Sequence, residues 1–166
     1  MAKKENKTNA MRILEKMKIN FEMRIYECDE FVDGMQTAKL LDLPPEVMYK
    51  TLVTVGKSKA NYVFVIPIAE EIDFKKAARS VREKSLEMLP LKDLTAVTGY
   101  VRGGCTAVGM KKKFKTVIHE DAKKLEKMVV SGGRIGLQLV LCPEDLLKAS
   151  EAEYADVISD VRQVSI

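Results

Sequence analysis

The sequence MYKTLVTVGKSKANYVFVIP occupies residues 48–67 and contains two apolar, β-branched runs separated by a short turn-like segment. Two such runs around a segment containing glycine are typical of a β-hairpin. We therefore expect strands over 48–55 and 61–67. Their strongly apolar composition places this hairpin at the centre of the sheet.

Helical and extended patterns alternate on both sides of the hairpin. Apolar residues spaced by three and four predict a helix over 8–18, and an alternating pattern predicts a strand over 21–26. Further helices are predicted over 37–41, 74–81 and 90–97 and from Pro143 onward, and further strands over 116–119, 127–130 and 137–141. The order lacks a regular βαβ repeat. It predicts an α/β fold with a single mixed, mostly antiparallel, barrel-like sheet and surrounding helices.

Composition bounds the class of protein. A chain of 166 residues with 31% charged and 46% hydrophobic residues is typical of one globular domain, which we expect over 10–160 after a flexible arm over 1–9. No apolar run approaches the roughly 20 residues of a membrane span, and the N-terminus lacks the apolar segment of a secretory signal. Three widely spaced cysteines fit a reducing cytoplasm. With one histidine and no close ligand pairs, we do not expect a structural metal site.

Glycine is concentrated in two loops. Seven of the nine glycines fall within 99–109 and 131–136, and each segment carries an arginine. Glycine allows positive φ and close approach to the backbone, so such loops can offer N–H groups to an anionic ligand. Two tight turns are the other interpretation. The lysines over 111–115 are a candidate contact for a phosphate backbone, or else a solvated turn.

Few side chains have the types that catalysis needs. Lys50 interrupts an apolar strand, so it is either an edge residue or an inward cation that requires an anionic or hydrogen-bonding partner. His119 has no Gly-x-Ser-x-Gly motif to accompany it, and we expect it at a strand end. Cys105 is expected to be a buried residue rather than a nucleophile. Without an obvious base, an enzyme would work by positioning and electrostatics, or would borrow a reactive group from its substrate.

Four motifs in order resemble the YbaK/EbsC family, trans-editing domains related to the insertion domain of bacterial prolyl-tRNA synthetase. They are Tyr49-Lys50-Thr51-Leu52, Gly99-Tyr100-x-x-Gly103-Gly104, Gly109 with its lysine run, and Ser131-Gly132-Gly133-Arg134-x-Gly136-Leu137. The resemblance covers about 10–160. It implies the fold of that editing domain and an aminoacyl-tRNA deacylase that acts in trans, most readily on Cys-tRNA(Pro).

The resemblance also implies the site. The catalytic positions it implies are Lys50, Thr51, Gly103, Gly104, Ser131 and Gly132. The substrate-binding positions it implies are Tyr26, Tyr100, Thr106, Gly133 and Arg134. Lys50 would hold the amino acid or the terminal ribose-phosphate region, and loop N–H groups would stabilise the oxyanion. The implied partners are the aminoacylated 3′ end of tRNA and prolyl-tRNA synthetase, with no metal, no cofactor and no membrane.

The family chemistry is substrate-assisted: the cysteine thiol attacks its own ester carbonyl and leaves as a four-membered thiolactone. Two alternatives remain open. One is a deacylase for Ala-tRNA(Pro) or other small residues, with a positioned water. The other is a non-catalytic module that binds tRNA or a nucleotide. The chain departs from the family at Thr106-Ala107, where relatives carry Ser-Pro, and at His119, where an aspartate is common. An aromatic position of the family corresponds to Asp33 or Phe31.

Overall fold

The computed structural model describes residues 7–27 and 33–160, which form five α-helices and eight strands. The helices are α1 (Asn9–Lys16), α2 (Gly34–Leu41), α3 (Phe74–Val81), α4 (Leu94–Thr98) and α5 (Pro143–Ser150). The strands are β1 (Glu22–Ile25), β2 (Tyr49–Gly56), β3 (Asn61–Pro67), β4 (Leu86–Met88), β5 (Lys115–His119), β6 (Met128–Ser131), β7 (Leu137–Leu141) and β8 (Glu153–Ala155). The hairpin and each of the other predicted helices and strands are confirmed to within a few residues.

The central hairpin carries the core on both of its faces. In β3, Phe64 and Ile66 belong to a buried cluster that includes Ala77 and Ala78 of α3. The intervening Val65 points to the opposite face, where it belongs to a larger cluster with residues of α1, β6, β7 and α5. Because successive side chains of a strand alternate between faces, an unbroken apolar run here means that the hairpin is covered on both sides.

The strands divide into two sheets, where one was expected. Five strands pair in the order β4-β2-β3-β5-β8 and three in the order β1-β7-β6. An isolated parallel bridge between Met48 and Val129 links the start of β2 to β6. The β3–β5 and β5–β8 pairs are parallel and the others are antiparallel, so the larger sheet is mixed. The arrangement does not close into a barrel.

The described chain begins beside the N-terminus of α1. The Thr8 side chain accepts a hydrogen bond from the Met11 N–H and caps the helix, and Lys7 pairs with Glu15 at 2.9 Å. Most of the arm expected over 1–9, and also Cys28 and Phe31, lie outside the described residues. Within 7–27 and 33–160, no helix combines the length and apolar character that crossing a bilayer requires.

Candidate active site

A cavity of about 390 Å³ opens where the start of β2 meets α2 and the two glycine loops. It is lined by Tyr26, Asp33, Gly34, Met35, Thr37, Met48, Tyr49, Lys50, Thr51, Leu52, Ile68, Arg102, Gly103, Cys105, Ser131 and Gln138. We call it the site cavity. Five of the predicted catalytic and substrate-binding residues line it, namely Tyr26, Lys50, Thr51, Gly103 and Ser131.

Lys50 is half-buried on β2, opposite Ile66 of β3. Burial lowers the pKa of its ammonium group, while the nearby carboxylates of Glu71 and Glu70 act in the opposite direction. A cation that has lost part of its hydration gains from an anionic or carbonyl oxygen placed against it. Of the two interpretations of Lys50, an exposed edge residue or an inward cation, its burial favours the second. Its ammonium group can bind a polarised oxygen in the site cavity.

The two glycine loops contact each other beside this lysine. The Ser131 hydroxyl donates to the Gly103 carbonyl at 3.2 Å, and the Gln138 side-chain amide lies 3.5 Å from the same hydroxyl. Gly104 packs directly on the backbone of Arg134, where an added Cβ would lie 2.7 Å from the Arg134 Cα. Glycine is required at this position because the two backbones approach too closely for a side chain.

Two of the loop amides are already engaged in hydrogen bonds. The Gly104 N–H donates to the Val101 carbonyl at 3.0 Å, and the Gly132 N–H donates to the Leu137 carbonyl at 2.9 Å. Neither amide is directed at the site cavity in this arrangement. The Gly104 and Gly132 amides are thus used within their own loops, and the oxyanion donors expected of the loops would be other loop amides.

The remaining predicted substrate-binding residues lie outside the cavity lining. Tyr100 is buried and its hydroxyl donates to the Val108 carbonyl at 2.6 Å, while burial raises its pKa to about 12. Thr106 is also buried. Gly133 has a φ of +109° and packs against Thr8, and Arg134 provides the backbone on which Gly104 rests. None of these four is among the residues that line the site cavity.

The other reactive side chains singled out in the sequence are protonated, used in a helix cap or placed outside the cavity. Burial raises the pKa of the Cys105 thiol to about 12, so it stays protonated at neutral pH. The Asp33 carboxylate accepts the Gln36 N–H at 2.8 Å and caps α2. His119 is at the end of β5, as expected, and its Nδ1 accepts the Val157 N–H at 3.3 Å outside the cavity. Across 7–27 and 33–160, no cluster of three His, Cys, Asp or Glu side chains could hold a metal ion.

Sequence reasoning missed the contribution of α1 and of β7 to the site. The Thr8 hydroxyl donates to the Gly132 carbonyl at 2.6 Å, and the Asn9 side chain donates to the Gly109 carbonyl at 2.8 Å. The start of α1 therefore holds both glycine loops. Gln138, a buried amide on β7, also lines the cavity, and its place within the apolar run 137–141 was the available signal.

Known proteins resemble this chain over most of its length. A profile of the aminoacyl-tRNA editing domain family matches residues 32–149. A protein of Enterococcus faecalis, EbsC, described as a proposed Cys-tRNA(Pro)/Cys-tRNA(Cys) deacylase, is 41% identical over 160 residues, which span 95% of this chain and 98% of that protein.

Two solved structures share the fold at low sequence identity. One, described as a proposed trans-editing enzyme for prolyl-tRNA synthetase, has a TM-score of 0.78 at 21% identity and covers 91% of this chain and 95% of its own. The other, described as a hypothetical protein, has a TM-score of 0.83 at 20% identity and covers 91% of this chain and 99% of its own.

Proposed function

The chain belongs to the aminoacyl-tRNA editing domain family, and we propose that it is a deacylase that clears misacylated tRNA in trans, with Cys-tRNA(Pro) as its substrate. The observation that carries this proposal is the site cavity, whose lining brings together Lys50, Thr51, Gly103 and Ser131 with no base among those four. The description of the 41% identical EbsC relative supports cysteine as the amino acid. The proposed place of action is the cytoplasm.

The proposed nucleophile is the thiol of the substrate. Free thiols titrate near pH 8.5, so a few per cent of the cysteine is thiolate at neutral pH without a base. Its sulfur attacks the ester carbonyl carbon, the tRNA 3′ oxygen leaves and takes a proton, and a four-membered thiolactone is released. Cys105 does not compete, because its thiol stays protonated. A strained ring forms only if the enzyme holds the reacting conformation, which is a task for a preorganised cavity.

Lys50 is the proposed electrostatic group. Its half-buried ammonium lies on the wall of the site cavity, where it can stabilise the oxygen that becomes negative as the ring closes. Removal of one donor from an oxyanion site typically costs on the order of a hundredfold or more in rate. Thr51 and Tyr26 are proposed to hold the amino acid and the terminal nucleotide against it.

Selection of the tRNA is proposed to involve prolyl-tRNA synthetase as a partner. The net charge of +4 is modest for a protein that must recognise a whole tRNA alone. Association with the synthetase would deliver the correct tRNA, and the cavity would then test only the attached amino acid.

The experiment is release of labelled amino acid from Cys-tRNA(Pro) and Ala-tRNA(Pro), with wild type, Lys50→Ala and the control Lys39→Ala. Lys39 is an exposed lysine of α2 outside the cavity lining. We expect fast release of cysteine only, unchanged in Lys39→Ala and reduced about a hundredfold or more in Lys50→Ala. Release no faster than without protein on both substrates would overturn the proposal.

A further inference from the structure

A second, larger cavity of about 680 Å³ lies at the other end of the central hairpin. Lys112, Lys113, Lys115 and Lys148 form its rim, and Met17 and Phe114 contribute apolar surface. We call it the lysine groove. The sequence placed lysines over 111–115 but could not show that Lys148 of α5 joins them across a groove.

The charge of the lysine groove is strongly one-sided. Glu151 is the carboxylate in its lining, and it pairs with Lys113 at 2.8 Å. Among residues 7–27 and 33–160, no carboxylate forms an ion pair with Lys112, Lys115 or Lys148, and all three are exposed. A concave surface with excess positive charge attracts a polyanion.

The segment that carries three of the lysines is anchored at both ends. The Lys111 N–H donates to the Thr98 carbonyl at 3.0 Å, and the Lys111 ammonium donates to the Ala96 carbonyl at 3.3 Å. At the other end, Lys115 and Thr116 pair with Tyr62 and Val63 of β3. An anchored backbone loses less conformational freedom when the lysines bind a ligand.

The groove and the site cavity share one loop. Gly103 and Cys105 line the site cavity, and two to four residues later Ala107 and Gly109 line the groove. Lys50 of β2 and Lys115 of β5 lie on either side of β3. Lys50 pairs with Ile66 of β3, and Lys115 pairs with Tyr62, four residues earlier on the same strand. The rise per residue along a strand and the spacing between strands then place the Cα atom of Lys115 about 16 Å from that of Lys50. Stacked nucleotides rise by about 3.4 Å each, so this distance equals roughly five nucleotides.

We propose that the lysine groove binds the phosphate backbone of the tRNA whose aminoacylated end occupies the site cavity. This inference rests on the proposed deacylase function for its ligand. The groove supplies affinity that does not depend on nucleotide sequence, because a lysine contacts a phosphate as a point charge. It acts on binding of the tRNA and leaves ring closure at Lys50 untouched.

The test uses the double variant Lys112→Gln/Lys115→Gln and the matched control Lys75→Gln/Lys84→Gln. The control lysines are exposed, belong to α3 and the segment after it, and lie outside the lining of the groove. Affinity for uncharged tRNA is measured by fluorescence anisotropy over a salt series. Deacylation is measured on Cys-tRNA(Pro) and on adenosine esterified with cysteine, which is too short to reach the groove.

We expect the groove variant to bind tRNA roughly three- to tenfold more weakly, as loss of two exposed ion pairs implies. Its plot of log affinity against log salt should lose about one unit of slope per lysine. Its kcat/KM on Cys-tRNA(Pro) should fall by the same factor, with no change on the adenosine ester and none in the control.

Three results would overturn the groove assignment. They are unchanged tRNA affinity, an equal loss in the control, and an equal loss on the adenosine ester. Unchanged tRNA affinity together with weaker binding to polyglutamate would assign the groove to an acidic protein partner instead. Groove-dependent tRNA binding by a wild-type protein that releases no cysteine would leave the groove assignment standing and overturn the deacylase function.

Discussion

Lys50 lies half-buried against the site cavity, where burial lowers the pKa of its ammonium group. Glu71 and Glu70 oppose that effect. Partial burial limits the hydration of the ammonium group, so the group gains from a negative oxygen placed against it. Such a lysine is already positioned before the substrate binds, and its interaction with the substrate strengthens as negative charge develops in the transition state.

The rate should therefore have two pH limits. We expect kcat/KM on Cys-tRNA(Pro) to rise as the substrate thiol ionises near pH 8.5, and to fall where Lys50 deprotonates, below the 10.5 of an ordinary lysine. Lys50→Arg, if active, should move the falling limb to higher pH, because guanidinium stays protonated. The measurement is the pH profile of each protein, corrected for hydrolysis without enzyme. A falling limb at the same pH in both would exclude Lys50 as its origin.

Individual residues of the site differed in how far the sequence revealed them. Lys50 was identifiable because a cation in an apolar strand needs a partner, and Ser131 because it opens a glycine loop. The engagement of the Gly104 and Gly132 amides was not predictable. Their acceptors depend on how each loop folds back on itself, which spacing alone does not determine.

Among the secondary-structure elements, α1 has a role beyond its share of the core. Its capping residue Thr8 donates to Gly132, and Asn9 donates to Gly109, so one helix terminus fixes both glycine loops. A distortion at the start of α1 would be transmitted directly to the carbonyl of Gly103 through Ser131.

Thr8→Val should remove the cap and the bond to Gly132 while keeping the side-chain shape. We expect a stability loss of about 1 kcal/mol, the usual cost of an N-cap, and a fall in kcat that exceeds any rise in KM. Asp73→Ala is the control, since it removes the cap of α3 far from the loops. Urea unfolding and steady-state kinetics measure the two effects. Equal activity in the two variants would show that the Thr8 contact does not position the loops.

The elements with clear local signals were the predictable ones. The helices predicted over 74–81 and from Pro143 onward begin where the sequence placed them. The three-residue strands β4 and β8 were missed, because so short a segment carries no readable alternation. Their pairing with β2 and β5 comes from tertiary packing, which overrides local preference.

Across the whole molecule, the division into two sheets was the feature that the sequence could not reveal. The segment between β3 and β5 contains α3, β4 and α4, and it returns the chain parallel to β3. The smaller sheet pairs β1 with β7 across more than a hundred residues. Such long-range choices are not encoded in local periodicity. The mixed α/β class was correctly predicted because it depends only on the types and order of the elements.

An ion-pair network joins α3 to the C-terminal segment of the described chain. The Lys76 ammonium of α3 binds the carboxylates of Asp156 at 3.0 Å and Asp160 at 2.8 Å and the Ile158 carbonyl at 2.9 Å. It thereby fastens the segment after β8 to α3. Lys76 lowers the pKa of Asp156.

Lys76→Met should destabilise the protein at neutral pH, and the loss should shrink in acid. A carboxylate with a lowered pKa contributes stability above its ordinary pKa, and that contribution disappears as pH falls through the lowered value. The free energies of unfolding in urea, measured for both proteins from pH 7 to pH 2, should therefore differ by a constant amount above the ordinary carboxyl pKa of 3.8 and by less below it. A difference that stays constant over that range would mean that Lys76 acts through packing alone.

Whether the substrate thiol is the nucleophile can be tested directly. Proline tRNA charged with 2-aminobutyrate presents a side chain like that of cysteine, with a methyl group in place of the thiol. If the substrate thiol attacks its own ester, the enzyme should release cysteine at least a hundredfold faster than 2-aminobutyrate, while both charged tRNAs compete equally for binding. Comparable release of the two amino acids would contradict substrate assistance and identify water as the attacking group.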